Sequence, residues 1–211
     1  MAAAETYAVN GSVSRTLQLP TGTVESSVTT TGRVNRSART LFVAETTTGH
    51  MQHLQTETYV ENGTAYQRYV NYEAGGNATW HTEAISPAEF RLLDPLARQT
   101  RLVENASVSV RNRTTLRGEP VYVAYADVEE SAYTSIYDRV LWGQPMNVTE
   151  ITFKYYTHRE TGQLLQMQGL LQGVANKGNG TAVLTEEYEL SFEDYGADVT
   201  VDVPSNATAG P

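Results

Sequence analysis

The chain has 211 residues, a formal net charge of −9 and no cysteine. This length suits one domain with a single core, and the absence of cysteine excludes a disulfide framework, a thiolate metal site and a catalytic thiol. The acidic balance argues against nucleic acid as a partner, because phosphate binding needs a basic face. Only Lys154 and Lys177 are lysine among the 15 basic residues. This is typical either of a halophilic protein from a salt-saturated habitat or of an acidic, GC-rich coding bias.

Three regions follow from composition along the chain. Residues 1–23 are polar and give a poorly defined N-terminal segment, residues 24–204 form a single domain, and residues 205–211 form a flexible tail. No run approaches the roughly 20 apolar residues that span a bilayer. No signal peptide is visible. We therefore expect membrane attachment only through an anchor absent from this chain, such as a lipidated cysteine preceding Met1.

The first half of the domain predicts strands joined by tight turns. Weak alternation indicates a strand over residues 24–34, and residues 38–47 predict a strand that is apolar on both faces. A hairpin follows over residues 51–72. Asn62-Gly63 favours a two-residue type I′ turn, because both central residues of that turn need a positive φ. Such a turn pairs Tyr59 with Tyr66 and Glu57 with Arg68, which are favourable cross-strand pairs. A further strand is expected over residues 78–84.

Two helical segments interrupt the strands. Ser86-Pro87-Ala88-Glu89 predicts a capping box that starts the first segment, and Asp94-Pro95 divides it into two short helices. The second segment begins near Asp127, where apolar residues at i+4 spacing as far as Val140 indicate an amphipathic helix.

The remaining sequence predicts strands again. Residues 121–126 are apolar at both parities, so that strand is expected to be covered on both faces. Alternation continues through residues 151–156, 165–172 and 184–193, and Val199, Val201 and Val203 are expected to close the sheet. The fold class is therefore α+β: a curved antiparallel half-barrel sheet of about ten strands with two helical segments on its concave face.

Sequons for N-glycosylation are unusually frequent. They predict a secreted, glycosylated surface protein, although chance matches are common in a chain rich in threonine. The nine candidate asparagines are Asn10, Asn35, Asn62, Asn77, Asn105, Asn112, Asn147, Asn179 and Asn206.

Catalytic and metal-binding patterns are weak. His50 and His53 are three residues apart on a segment that is not helical, which is a poor start for a zinc site, and His81 and His158 are isolated. Acidic residues at Glu129-Glu130 and in the series from Glu186 to Glu193 could form an acid/base couple. Charges that start a helix and the solvent-facing side of a strand explain them more simply. No nucleophile elbow, phosphate-binding loop or calcium loop occurs. We therefore predict no enzyme, no metal and no cofactor, and a surface hydrolase is the weakest alternative.

Five strand-turn-strand motifs together carry a likeness to a known family. They are residues 58–66, 102–110, 117–123, 159–163 and 194–204. With the order of the strands and helices, they resemble the LolA/LppX-type lipoprotein carriers, in particular the haloarchaeal lipoproteins similar to them, over about residues 40–204. The resemblance implies a half-barrel whose concave face is plugged by helices and holds acyl chains. This chain departs from a lipoprotein in lacking the cysteine that carries the lipid.

These observations predict an extracytoplasmic lipoprotein-type domain, extracellular or at the cell surface. It would bind a lipid or another apolar ligand in a cleft between curved sheet and helices. The alternative is a cell-envelope interaction module with a filled core and an envelope protein as partner. Aromatic and apolar residues of the sheet and helices are either packed core or pocket lining. The predicted pocket residues are Phe42, Trp80, Phe90, Leu93, Tyr125, Ile136, Val140 and Phe153.

Overall fold

One antiparallel sheet organises the described part of the chain. The structure, a computed structural model, describes residues 5–49, 52–134, 140–141, 144–177 and 180–207. The strands are β1 Thr6–Leu19, β2 Gly22–Asn35, β3 Thr40–Gly49, β4 Gln52–Glu61, β5 Thr64–Asn71, β6 Ala78–Ala84, β7 Ala106–Leu116, β8 Glu119–Val128, β9 Val140–Leu141, β10 Gln144–Pro145, β11 Asn147–His158, β12 Leu164–Lys177 and β13 Gly180–Glu193. The helices are α1 Pro87–Leu93, α2 Pro95–Glu104 and α3 Glu130–Thr134.

Eleven strands form the main sheet, in the order β6-β5-β4-β3-β2-β1-β13-β12-β11-β8-β7, and β9 pairs with β10 alone. The sheet is curved and open, with β6 and β7 at its two edges. This confirms the predicted half-barrel and its fold class. The β4–β5 hairpin has the predicted register, with Tyr59 opposite Tyr66 and Glu57 opposite Arg68. Its turn residues Asn62 and Gly63 both have a positive φ, of 52° and 74°.

The core lies between the concave face of the sheet and the helices. Alternate residues of each strand point to this helix-bearing face, as in β1, where Tyr7 and Val9 are fully buried. From the helices, Phe90, Leu96 and Leu102 complete the same cluster. Residues 121–126 are buried on both faces, as expected, with Val121 and Ala126 each fully buried on opposite sides.

The structure corrects the prediction for the N-terminal segment, because residues 6–19 form strand β1 of the sheet. Strand β1 lies between β2 and β13 in the middle of the sheet, whereas the prediction left residues 1–23 outside the domain. The reason is composition: serine, threonine, asparagine and glutamine fill much of β1, so its apolar alternation is faint. Fourteen-residue pairing with β2, from Thr6↔Asn35 to Leu19↔Gly22, specifies this strand instead.

The first helical segment follows its prediction and the second does not. Ser86 accepts from the backbone of Glu89, whose carboxylate in turn accepts from the backbone of Ser86, and Asp94 ends α1 and caps α2. Helix α3 covers only five residues. The helix predicted from Asp127 is too long, because Val128 pairs with Ala106 as the last residue of β8 and Val140 lies in β9.

The C-terminal segment is not a strand. The prediction that Val199, Val201 and Val203 close the sheet is wrong, because none of them lies in a strand. The segment instead passes over the face of the sheet opposite the helices, where Thr200, Val201 and Asp202 line a groove. Ser205–Ala207 form a 3-10 turn with Ala207 buried, so this part of the predicted flexible tail is ordered against the domain.

Candidate functional site

A cavity of about 430 Å³ lies between the helix-bearing face of the sheet and helix α2. Seven strands and two helices contribute to it, because the curvature of the sheet draws distant strands around the same space. Its apolar wall is made of Val9, Val13, Val28, Leu54, Pro95, Phe153, Met167 and Leu190. Its polar wall is made of Arg15, Thr30, Glu45, Thr47, Thr56, Arg98, Gln99, Tyr133 and Tyr188.

A partly buried ion pair marks one side of this cavity. Arg15 Nε lies 2.6 Å from Glu186 Oε1, and the Glu186 side chain is only 1% exposed. Tyr188 donates its hydroxyl to the other carboxylate oxygen of Glu186, and the hydroxyls of Tyr133 and Tyr188 are 2.9 Å apart. The pairing follows from strand register, because Arg15 and Glu186 are directly opposite in the β1–β13 ladder. A buried carboxylate is tolerated here because it is paired and hydrogen-bonded.

Helix α2 supplies the opposite polar wall. Gln99 is 1% exposed and accepts a hydrogen bond from the Tyr155 hydroxyl at 3.2 Å. Arg98 donates to the carbonyl oxygen of Leu93 at 3.4 Å. Successive positions of the first two turns of α2 thus place an amide and a guanidinium beside the apolar wall.

The position of α2 is set by the carboxylate of Asp94. Tyr7 donates its hydroxyl to Asp94 Oδ1 at 2.6 Å, and Arg36 donates Nε to Oδ2 at 2.6 Å. Burial and the neighbouring Asp94 carboxylate raise the pKa of Tyr7 far above its ordinary value. For Arg36, burial lowers the pKa, but the hydrogen bond and charge of Asp94 outweigh it and the net shift is upward. Tyr7 therefore stays protonated and Arg36 stays charged.

The lining of the cavity is chemically mixed. Valine, leucine, methionine and phenylalanine contribute apolar surface, while arginine, glutamine and threonine contribute hydrogen-bond donors. Within the described residues no three His, Asp or Glu side chains are grouped to hold a metal ion. His158 instead lies 3.3 Å from Glu119, and the His81 ring lies 3.7 Å from Glu83, each as a separate pair.

The six predicted pocket residues whose side chains the structure describes do not share one site. Phe153 lines the cavity. Phe90 borders a different groove beside α1 and α2, and Leu93 packs against the core as a partly buried residue. Ile136 lies outside the described residues, and for Val140 only the backbone is described.

Phe42, Trp80 and Tyr125 lie on the face opposite the helices. Strand alternation explains this, because the neighbours Leu41 and Val43 point to the core. Tyr125 contacts the cation of Lys154, 6.0 Å from its ring centroid, on that opposite face. The prediction that these three line a concave pocket is therefore wrong.

An aromatic row occupies that opposite face. The ring centroids of Phe42 and Tyr59 are 4.9 Å apart, and those of Tyr59 and Trp80 are 6.1 Å apart. Tyr59 donates its hydroxyl to Glu57 at 3.0 Å. Burial and this carboxylate raise the pKa of Tyr59 to about 12.

Sequence reasoning missed most of the cavity lining. Val9, Val13 and Arg15 belong to β1, whose residues were left unassigned, and Glu186 was expected on the solvent-facing side of its strand, whereas its side chain is only 1% exposed. One pattern in the sequence could have indicated Arg15. It lies an even number of residues from Val9 and Val13, so in a strand its side chain is on the same face as theirs. That signal appears only once β1 is recognised.

Most candidate glycosylation asparagines are at the surface. Asn35 is half-buried, and Asn179 lies outside the described residues. The exposed ones are Asn10, Asn62, Asn77, Asn105, Asn112, Asn147 and Asn206.

Comparison with known proteins gives distant structural likenesses. No family model and no curated protein matches the chain. LprF from Mycobacterium bovis is similar, with a TM-score of 0.46 and 16% identity, covering 94% of this chain and 89% of LprF. The lipoprotein LppX from Mycobacterium tuberculosis has a TM-score of 0.38 and 11% identity, covering 90% and 89%. The Pseudomonas aeruginosa MucA/MucB complex gives 0.33 and 12%, covering 96% of this chain and 56% of the matched one.

Likenesses this distant carry no weight for function, and the fold described above rests on the chain's own strand order. In the described residues, none of the helices is both long and apolar enough to cross a membrane.

Proposed function

We propose that this chain is an extracytoplasmic, non-enzymatic domain of the LolA/LppX type that binds a single-chain amphiphilic lipid in the cavity between sheet and α2. The observation that supports it is the cavity itself. A space of about 430 Å³ with a mixed apolar and polar lining is unfilled by side chains. It lies in the lower part of the range of roughly 300–1,000 Å³ found for small-molecule sites. That size favours one acyl chain over several.

The apolar and polar walls of the cavity suggest where the acyl chain and the polar head of such a ligand would lie. The acyl chain would lie against Val13, Val28 and Met167, where burial of apolar surface contributes about 25 cal/mol per Å². The polar head would lie near Gln99 and Arg98, whose donors belong to helix α2. Glu186 already holds Arg15, so a head group is not needed to satisfy that ion pair.

Native mass spectrometry of protein purified without detergent tests this proposal. We expect a population heavier than the chain by the mass of one lipid. Uptake is then measured with dansyl-labelled undecanoic acid after removal of the native ligand. The variant Val28→Trp places a large ring in the cavity and should weaken uptake at least about tenfold, which corresponds to about 1.4 kcal/mol.

Val110→Trp serves as the matched control, since Val110 is 64% exposed on the edge strand β7, away from the residues that line the cavity. It should bind the probe like the unmodified protein. The proposal fails if the unmodified protein neither carries lipid nor takes up the probe, or if Val28→Trp binds it as well as Val110→Trp does. That failure would favour the envelope interaction module.

Localisation and modification belong to the same proposal. An extracellular or cell-surface location is supported by the exposed sequon asparagines. Intact mass after expression in a glycosylating host tests whether the exposed asparagines carry glycan. Stability in molar salt compared with low salt tests the halophilic origin, because screening relieves repulsion within a chain of net charge −9.

A further inference from the structure

Strand β7 is an open edge of the sheet. It ends the strand order, and its residues 107–115 are all exposed. An edge strand presents a row of backbone N–H and C=O groups that can pair with another extended chain. The pairing of β7 with β8 is regular from Ala106↔Val128 to Val110↔Ala124, and a bulge follows before Asn112. The first half of β7 is thus a straight pairing template.

The side chains of β7 combine exposed apolar groups with positive charge. Val108 and Val110 are 46% and 64% exposed and lie on the same face, two residues apart. Arg111 and Arg113 follow directly, and β7 contains no acidic residue. This is a local basic patch on a chain whose net charge is −9.

Both arginines are held in place along the edge. The guanidinium of Arg111 lies 5.2 Å from the ring centroid of Tyr125, and that of Arg113 lies 5.4 Å from the ring centroid of Tyr122. The bulge puts them on opposite faces of the sheet, because Tyr122 and Tyr125 differ in parity. A strand added beside β7 would therefore meet a positive charge on each face.

We propose that β7 is a docking edge for an extended acidic segment of a partner protein, which adds as a further strand. Backbone pairing to residues 106–110 would supply affinity, and carboxylates opposite Arg111 and Arg113 would supply specificity. A second copy of this chain fits less well, because two paired β7 strands would offer no carboxylate to Arg111 or Arg113: β7 contains no acidic residue. The other edge, β6, differs in carrying the carboxylate of Glu83, which lies 3.7 Å from the ring of His81.

The proposal is tested with two synthetic peptides, acetyl-(Val-Glu)₄-amide and acetyl-(Val-Lys)₄-amide, on protein made in a host without N-glycosylation. Hydrogen exchange with mass spectrometry follows the backbone amides of β7 and β6 separately. We expect the glutamate peptide to slow exchange in β7 and to bind at least about tenfold more tightly than the lysine peptide. The double variant R111E/R113E should reverse that preference.

The double variant Val108→Thr, Val110→Thr tests how much the two apolar side chains contribute to peptide binding. It should weaken both peptides by a similar factor and leave their ratio unchanged. Unchanged circular dichroism and Tm of all variants show that the fold is intact. Equal affinity for the two peptides, protection confined to β6, a ratio that R111E/R113E leaves unaltered, or a concentration-dependent dimer that buries β7 would each overturn the proposal.

Discussion

The hydroxyl of Tyr7 donates a hydrogen bond of 2.6 Å to Asp94, 87 residues further along the chain. This bond joins the central strand β1 to the junction between α1 and α2. The same carboxylate accepts from Arg36 and from the backbone N–H of Ala97, so one side chain caps α2 and fixes it to the sheet. Helix α2, which covers the cavity, is therefore held in position by Asp94, a residue that does not itself line the cavity.

Replacing Asp94 with alanine should destabilise the fold by about 3–5 kcal/mol, because it leaves a partly buried guanidinium without its carboxylate and removes the cap of α2. Urea unfolding followed by tryptophan fluorescence measures the change. Asp198→Ala, at an exposed aspartate, is the control and should change stability by less than about 0.5 kcal/mol. A loss for Asp94→Ala no larger than the control would contradict the anchoring role.

The hairpin pair Glu57–Arg68 offers a second test. Arg68 Nη1 lies 3.0 Å from Glu57 Oε1, and both side chains are partly buried. A double-mutant cycle with Glu57→Gln and Arg68→Met should give a coupling free energy of about 0.2–1 kcal/mol, the range for opposite charges directly across a sheet. The coupling should fall in high salt, since part of the pair is exposed to solvent. A coupling of zero at low salt would mean that the turn alone sets the register.

The hairpin was predictable because its information is local. Asn62-Gly63 fixes the turn type, the turn fixes the register, and the register fixes which side chains meet. The capping box at Ser86 and the break at Asp94-Pro95 were predictable for the same reason. Each is specified within four residues of sequence.

The cavity was not predictable, because its residues come from strands far apart in the chain. Arg15 and Glu186 are 171 residues apart and meet only through the β1–β13 ladder. Aromatic content also misled the prediction, since Phe42 and Trp80 have the right residue type but the wrong parity. Which face of a strand is buried follows from the neighbouring strands, and a one-residue change in phase reverses it.

The pKa of Tyr59 predicts a change in stability at alkaline pH. Burial and Glu57 raise this pKa from 10.0 to about 12 in the folded protein. The folded state then holds a proton that the unfolded chain releases, so the contribution of Tyr59 to stability is constant below about pH 10 and is lost as the pH rises towards about 12. Tyr59→Phe removes this group and should show a smaller loss across that interval. Chemical denaturation at about pH 9, 10 and 11, on either side of the ordinary tyrosine pKa of about 10, measures the loss of stability in both proteins. Equal losses in the two proteins would exclude Tyr59 as a source.

Two glycines of β12, Gly169 and Gly173, face side chains that differ in how easily they can move. A Cβ on Gly169 would lie 2.4 Å from the ring of Phe153, and one on Gly173 would lie 2.6 Å from the sulfur of Met146. Phe153 is 1% exposed and stands against the ring of Tyr133, so its ring has little room except towards the cavity. The thioether of Met146 can change rotamer at lower cost. We expect Gly169→Ala to destabilise by about 1–3 kcal/mol and Gly173→Ala by less.

The two variants should also differ in ligand uptake. If Phe153 moves into the cavity, Gly169→Ala lowers binding of the dansyl-labelled acid while Gly173→Ala leaves it nearly unchanged. Thermal unfolding and probe titration of the pair measure both effects on the same samples. A larger destabilisation for Gly173→Ala would show that the Met146 side of the sheet, and not the Phe153 ring, is the rigid wall.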